Sequence, residues 1–168
     1  MDLPRWDAKM RTVVISDVHG NFEALEECLF NAKVINASGA RFTDGENRCK
    51  VISLGDLANC VKEDESGDIA CLRKVGDWID ILLMGNHEHP YVSRTRISSY
   101  IPVFNGFHYS AYVAEELNRI EEMGSLRPAY LRGDLLISHA GWDRDMHPFI
   151  STAQEASQAL TEALRDEG

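Results

Sequence analysis

Four short runs of apolar residues recur along this chain, and each ends abruptly in polar residues. Runs of this length, bounded by turn residues, are typical of strands buried inside a sheet. The segments between them repeat apolar positions every three or four places, which is the spacing of amphipathic helices. The pattern predicts alternating strands and helices, with strands at residues 13–16, 51–54, 81–84 and 135–138.

The helices predicted by this spacing follow the strands in turn. The first covers residues 22–32, with Gly20 in a tight turn and Asn21 as its cap. The second carries Ile69, Leu72, Val75 and Ile79 on one face, and its charged residues are expected in solvent. The others are predicted at residues 104–123, ending at Gly124, and from Ser151 or Thr152 onward.

Strands that alternate with helices indicate an α/β fold with a parallel sheet. The carboxyl ends of parallel strands meet at one edge, so residues far apart in sequence can converge there. Residues able to bind a cation follow all four predicted strands, and we expect them at this edge: Asp17, His19, Asp56, Asn86 and His139.

These residues predict a site for two divalent cations. Asp17 and His19 can bind one cation, and Asp56, with two carboxylate oxygens, can bridge to the second. Asn86 and His139 add an oxygen and a nitrogen. Such a mixed set without thiolate favours Mn, Fe or Zn over Ca or a structural zinc.

The charge of such a site indicates hydrolysis of a phosphoester. Two divalent cations and the carboxylates of Asp17 and Asp56 would leave a surplus of about +2, enough to turn a water into hydroxide near neutral pH and to hold phosphate oxygens. The leaving alkoxide then needs a proton. His87 follows Asn86 in the same turn and is predicted to be the general acid.

Composition limits the classes of partner. The chain has 168 residues, which fits one domain over residues 1–168, and a formal net charge of −10. This charge argues against binding nucleic acid or an anionic membrane. The start is too polar for a signal peptide, and no apolar run would cross a bilayer. A cytoplasmic protein with reduced thiols is expected from the spacing of Cys28, Cys49, Cys60 and Cys71.

The polar turns resemble the motifs of the calcineurin-like metallophosphoesterases, in particular bacterial and phage serine/threonine protein phosphatases and symmetrical diadenosine-tetraphosphatases. The matching residues are Asp17-Val18-His19-Gly20-Asn21-Phe22, Gly55-Asp56-Leu57, Gly85-Asn86-His87-Glu88 and Ser138-His139-Ala140-Gly141. The resemblance implies an αββα sandwich. It also implies that Asp17 and His19 bind metal one, Asp56 bridges, Asn86 and His139 bind metal two, and His87 protonates the leaving group.

The chain departs from the family pattern in two places. The phosphatases continue from the Gly-Asp motif to an Asp-Arg pair, whose Asp orients the catalytic histidine and whose Arg grips phosphate; this chain has Asn59-Cys60. The tetraphosphatases also lack that Asp. Replacements for the Arg could be Lys62, Arg94 or Arg96. Tyr91 and Tyr100 could also touch substrate, although an exposed polar loop is the favoured interpretation of their stretch.

The second departure is that no Gly-His motif follows His139, so the C-terminal part of the sandwich is expected to be truncated or reduced. His89, His108 and His147 are expected at the surface or at its boundary. The leading hypothesis is a phosphatase that acts on phosphomonoesters, with a phosphorylated protein or small phosphoester as substrate. The alternatives are a hydrolase of dinucleoside polyphosphates, favoured by Asn59, and a non-catalytic phosphate-binding module.

Overall fold

The computed structural model of the protein describes residues 10–59, 65–92, 107–132 and 135–140, with residues 152, 154, 155, 158 and 159. Its named elements alternate between strands and helices through most of this part of the chain. They are β1 (Arg11–Ile15), α1 (Phe22–Asn31), a 3₁₀ turn (Gly45–Asn47), β2 (Cys49–Ser53), α2 (Ser66–Leu72), β3 (Ile81–Leu83), α3 (His89–Val92), α4 (Ala111–Glu122), β4 (Leu126–Arg127), β5 (Ala129–Arg132) and β6 (Leu135–Ser138).

The main sheet is parallel and has the strand order β1-β2-β3-β4. Its register pairs Val13 with Val51 and Ile52 with Ile81. Because all four strands run the same way, the turns that follow β1, β2 and β3 lie at the same edge. The predicted parallel α/β sheet is confirmed.

Successive residues of the central strands point to opposite faces of this sheet. Val51 and Leu82 join a core with the helices α1, α2 and α4, whereas Ile52 and Ile81 pack towards Tyr130 of β5 and Ile137 of β6. Both faces are therefore covered, which is why these strands read as continuous apolar runs. Helices, parallel sheet and second sheet are three layers of the expected sandwich.

The strand predicted at residues 135–138 exists, but its expected place in the parallel sheet is wrong. It is β6, which pairs antiparallel with β5 in a separate two-stranded sheet. The fourth parallel strand is β4, which pairs with β3. A run of four apolar residues fits either sheet, so the sequence pattern does not select its partner.

Two predicted helices are shorter than expected. Helix α2 ends at Leu72, and the Val75 N–H after it bonds to the Leu72 carbonyl, three residues back. Gly76 then takes a positive φ of 102°, and its N–H donates to the Ile79 carbonyl in a tight turn. Val75 and Ile79 are buried in that turn rather than on a helix. Helix α4 begins at Ala111, and its cap is the Ser110 hydroxyl, which accepts a bond from the Val113 N–H.

The predicted ends of two helices are confirmed. The Asn21 side chain accepts a hydrogen bond from the Ala24 N–H at 3.1 Å, and Gly124 follows α4 with a φ of 70°. None of the helices in the described part of the chain has the length and hydropathy that a bilayer crossing needs. The helix predicted from Ser151 or Thr152 lies mostly outside the described residues.

Candidate metal centre

The turn after β1 is fixed to the turn after β2 by backbone hydrogen bonds. The N–H groups of Val18 and His19 both donate to the Asp56 carbonyl, at 3.1 and 2.9 Å, and Gly20 N–H donates to the Leu57 carbonyl. His19 takes a positive φ of 51°, which L-residues rarely adopt. These contacts hold Asp17 and His19 at the edge of the sheet where Asp56 lies.

Asp56 is the buried centre of the site. Its side chain is 5% exposed, and its Oδ2 atom lies 3.7 Å from Nε2 of His139 and 3.9 Å from Nε2 of His87. Its other oxygen, Oδ1, accepts a bond from the His87 N–H at 3.0 Å. Asp56 also has a positive φ of 48°, a strained conformation of the kind found at functional sites. One carboxylate thus faces two imidazoles from different loops.

Two glycines allow the turns after β2 and β3 to approach each other. A Cβ atom on Gly55 would lie 2.6 Å from the Gly85 nitrogen, and one on Gly85 would collide with the Asp56 carboxylate. Gly55 also has a φ of 114°. Any side chain here would push Asp56 away from Asn86 and His87, so the glycines of both motifs have a packing role.

His139 and Asn86 come together although they follow strands of different sheets. Nε2 of His139 lies 3.3 Å from Oδ1 of Asn86, and Nδ1 lies 3.0 Å from the Leu54 carbonyl. A carbonyl only accepts, so Nδ1 carries the proton and donates it. In the neutral ring Nε2 then carries the lone pair, and it points towards Asn86 and Asp56, which is the arrangement that a histidine ligand of a metal requires.

Asp17 and His19 form the open side of the site. Nε2 of His19 lies 3.9 Å from Oδ2 of Asp17, and both side chains are nearly half exposed. The His19 and His87 rings lie 4.8 Å apart between centroids. One ligand atom from each of His19, Asp56 and His87 falls within 4.8 Å of the others, so a cation placed among them would have His87 close by as well as His19 and Asp56.

His87 is oriented by a backbone carbonyl. Its Nδ1 atom is hydrogen-bonded to the carbonyl of Asn59, so the proton resides on Nδ1 and Nε2 faces the site. The side chain of Asn59 stands where the phosphatase pattern has an orienting carboxylate, but the main chain at that same position supplies the acceptor. The departure from the family pattern therefore leaves His87 with a partner.

Glu88 is a site residue to which the sequence analysis assigned no role. Its carboxylate is completely buried and accepts four backbone N–H bonds, from Asp56, Leu57, Ala58 and Gly85. Burial raises its pKa to about 7, although the hydrogen bonds from the backbone act in the opposite direction. Glu88 ties the turn after β2 to the turn after β3.

Asp68 is not in solvent, which contradicts the expectation for charged residues of α2. It is 5% exposed, and its Oδ1 atom accepts a bond from the Asn59 N–H at 2.8 Å. The sequence did contain a signal, since Asp68 shares helical spacing with the buried Cys71, Leu72 and Val75. An acid on the apolar face of a helix needs buried partners.

The donor set fits divalent cations. Ligands bound at about 2 Å to one cation lie at most about 4 Å apart. The distances from His139 to Asn86 and Asp56, 3.3 and 3.7 Å, satisfy this limit, as does the 3.9 Å between Asp17 and His19. Oxygen and imidazole donors without thiolate suit Mn, Fe or Zn.

Four candidates for contact with substrate fall outside the described residues: Lys62, Arg94, Arg96 and Tyr100. Cys60, which stands in place of the phosphate-gripping Arg, also lies outside them. Gly141 and His147 also lie outside them. Tyr91 is described, and its hydroxyl is used internally. It donates to the His108 carbonyl and accepts from the Ser110 N–H, both at 3.1 Å, which fixes the start of α4.

The sequence profile of the family described as calcineurin-like phosphoesterase matches residues 10–161. A cold-active protein tyrosine phosphatase has a similar fold, with a TM-score of 0.56 and 20% identity over 92% of this chain and 48% of that one. A metallophosphoesterase from Sphaerobacter thermophilus is 26% identical over 76% of this chain and 45% of its own, with a TM-score of 0.43.

The chain spans about half the length of both solved structures. No curated protein sequence matches it significantly.

Proposed function

Because this chain belongs to the calcineurin-like phosphoesterases, a family of metal-dependent hydrolases, we propose that it hydrolyses phosphomonoesters at the edge of its parallel sheet. The observation that carries the proposal is the position of Asp56. Its buried Oδ2 atom faces Nε2 of His139 at 3.7 Å and Nε2 of His87 at 3.9 Å. Asp56 therefore lies between His139, a candidate metal ligand, and His87, a candidate general acid.

In this proposal the site would take two divalent cations, Mn, Fe or Zn. Asp17 and His19 would hold the first, Asn86 and His139 would hold the second, and Asp56 would contribute to both. The tautomer of His139 supports its role, because its Nδ1–H donates to the Leu54 carbonyl and leaves Nε2 free to bind. When bound, the cations would supply the positive charge that acidifies a water and neutralises phosphate oxygens.

His87 supplies the proton in this proposal. When the histidine is charged, Nδ1–H still donates to the Asn59 carbonyl, so the second proton sits on Nε2 and faces the site. Transfer of that proton to the leaving alkoxide returns the imidazole to the neutral tautomer without rotation of the ring. The Asp56 Oδ1 bond to the His87 N–H fixes the main chain beneath it.

Two further functions are compatible with particular residues. A hydrolase of dinucleoside polyphosphates is favoured by Asn59, since relatives of that kind also lack the orienting carboxylate. A non-catalytic phosphate-binding module is favoured by Cys60, which replaces the phosphate-gripping Arg. Relative kcat/KM for a phosphoserine peptide and for diadenosine tetraphosphate separates the two enzymatic readings.

The central experiment measures release of phosphate from p-nitrophenyl phosphate with added Mn²⁺. We expect turnover in the wild type and none in Asp56→Asn. Asp80→Asn is the matched control, since Asp80 is an acid at the opposite edge of the sheet, where it accepts from Arg41 and the Val51 N–H. Turnover that survives in Asp56→Asn contradicts the proposal, and no turnover at any Mn²⁺ concentration favours the binding module.

His87→Asn separates the two kinds of role within the site. With phenyl phosphate, whose leaving group is strongly basic, loss of a general acid should lower kcat by about 10²- to 10⁴-fold. Because His87 is proposed to move a proton and not to bind metal, the Mn²⁺ content of the purified variant should equal that of the wild type. Loss of metal together with activity would make His87 a ligand.

A further inference from the structure

The orientation of His87 depends on where the Asn59 carbonyl points. The direction of a backbone carbonyl is set by the main-chain torsions of its residue, and in a loop these are held less firmly than in a helix or strand. Asn59 lies at the end of the described turn after β2, beyond the three residues whose N–H groups Glu88 holds. Something further must fix residue 59.

Asp68 provides that contact. Its Oδ1 atom accepts the Asn59 N–H at 2.8 Å, and the side chain is 5% exposed, in a part of the protein where an acid is expensive to bury. The bond joins helix α2 to the turn after β2. Asp68 therefore constrains the residue whose carbonyl accepts the proton-bearing Nδ1 of His87.

The start of α2 is itself fixed. A Cβ atom on Gly67 would collide with the Gly20 carbonyl, and one on Gly20 would collide with the Asp68 carboxylate. The helix thus packs directly against the turn that carries Asp17 and His19. This close contact gives Asp68 a rigid base from which to hold Asn59.

We propose that Asp68 is a positioning residue for proton transfer, which acts on His87 through the main chain of Asn59. This proposal rests on the proposed function, because it concerns the acid that protonates the leaving group. The carbonyl holds Nδ1–H and directs Nε2 into the site; Asp68 keeps the carbonyl in place. In the phosphatase pattern a carboxylate orients the histidine directly. Here a carboxylate on the adjacent helix α2 acts through the main chain of Asn59.

The leaving group distinguishes positioning from simple stabilisation. A poorly positioned acid slows release of a strongly basic phenolate or alkoxide, whereas 2,4-dinitrophenolate departs without protonation. We expect Asp68→Ala to lower kcat for phenyl phosphate by about 10- to 100-fold, the usual range for an outer partner of a site residue. For 2,4-dinitrophenyl phosphate kcat should change less than about threefold, and KM should change little for either ester.

Conservative replacement and a matched control exclude a general effect of instability. Asp68→Asn keeps an oxygen that can accept the Asn59 N–H, so it should restore most of the activity on phenyl phosphate. Asp80 also accepts a backbone N–H, from Val51 at 2.7 Å, but lies at the other edge of the sheet. Asp80→Ala should lower the Tm without changing the ratio of the two rates. Equal losses on both esters in Asp68→Ala overturn the proposal.

A measurement without metal or substrate tests the same contact. The ¹⁵N chemical shifts of histidine ring nitrogens report the tautomer, and in the metal-free wild type His87 should carry its proton on Nδ1. In Asp68→Ala we expect a mixture of tautomers, while His139, bonded to the Leu54 carbonyl, keeps its own. An unchanged His87 tautomer overturns the proposal. If the wild type hydrolyses neither ester, the proposed function is refuted, but the ¹⁵N measurement of the His87 tautomer still tests the contact made by Asp68.

Discussion

Nε2 of His139 lies 3.3 Å from Oδ1 of Asn86, although the two residues are 53 positions apart in the chain. Asn86 follows β3 of the parallel sheet, and His139 follows β6 of the antiparallel pair. Their contact joins the two sheets at the edge where Asp56 lies. The site therefore depends on the packing of one sheet against the other, not on the parallel sheet alone.

A change at this contact should weaken metal binding. His139→Ala removes the nitrogen that faces Asn86 and Asp56, so we expect the affinity for one Mn²⁺ to fall by at least about tenfold, or roughly 1.4 kcal/mol. Calorimetric titration of the metal-free protein with Mn²⁺ measures the change. His108→Ala is the control, because the His108 side chain is exposed and only its carbonyl makes the described bond to Tyr91. Equal affinity in both variants would remove His139 from the proposed ligand set.

Glu88 should be required for the stability of the site loops. Glu88→Gln keeps the shape of the side chain but replaces one carboxylate oxygen by an amide nitrogen, which cannot accept. Each oxygen takes two of the four backbone N–H bonds, so two buried donors lose their acceptor. An unsatisfied buried group costs about 1–3 kcal/mol, and we expect a loss of that order or more in the free energy of unfolding.

Urea denaturation of the metal-free protein measures the effect of Glu88→Gln. Glu115→Gln is the control, since Glu115 is exposed on α4 and a surface change of this kind stays within about 0.5 kcal/mol. Equal midpoints for the two variants would mean that the Glu88 clamp contributes nothing to stability.

The strands and their polar ends could be predicted because each signal is local. A buried strand needs an apolar run. A turn such as Gly55-Asp56 needs residues that tolerate a positive φ, and the φ angles here are 114° for Gly55 and 48° for Asp56. The parallel arrangement then follows from the alternation of strands and helices. Asp56, Asn86 and His139 lie close together, even though β6 belongs to another sheet.

The parts that could not be predicted depend on contacts distant in sequence. Nothing in the local pattern says that Asn59 supplies its carbonyl rather than its side chain to His87, or that Asp68 accepts the Asn59 N–H. Cys28 shows the same limit, since it stands at helical spacing from the buried Leu25 of α1 but is itself exposed. Helical spacing shows which residues share one face of a helix. Which residues at the border of that face are buried depends on what packs against it.

Cysteine reactivity should follow this burial. Burial, reinforced by the nearby charge of Asp68, raises the pKa of the Cys71 thiol to about 12, so almost no thiolate forms at pH 8. Cys28 is exposed on α1. We expect iodoacetamide to modify Cys28 in the native protein while Cys71 stays unmodified, with both modified in urea. Peptide mass spectrometry measures each site separately, and rapid native labelling of Cys71 would contradict its buried position.

The loss of folding stability at low pH should depend in part on Glu116, which joins α4 to the end of α2. Burial alone would raise its pKa, but hydrogen bonds from Arg73 at 2.7 Å and Arg119 at 2.8 Å outweigh burial, and the pKa is lowered from its ordinary 4.5. A carboxyl group whose pKa is lower in the folded than in the unfolded protein stabilises the fold at pH values above its pKa in the unfolded protein. That contribution is lost as the pH falls through the folded pKa.

Glu116→Gln should therefore lower stability at pH 7 by about 1 kcal/mol, the upper range for a partly exposed ion pair. The difference from wild type should shrink as the pH falls below 4.5, because the wild-type carboxylate then becomes protonated. Urea denaturation at several pH values measures this difference, with Glu115→Gln as the exposed control on the same helix. Arg119 also donates to the Leu72 and Val75 carbonyls, so it keeps these two contacts in the variant and the helices stay together. A difference that stays constant between pH 7 and pH 3 would mean that the charge of Glu116 does not contribute, and that the variant acts through packing alone.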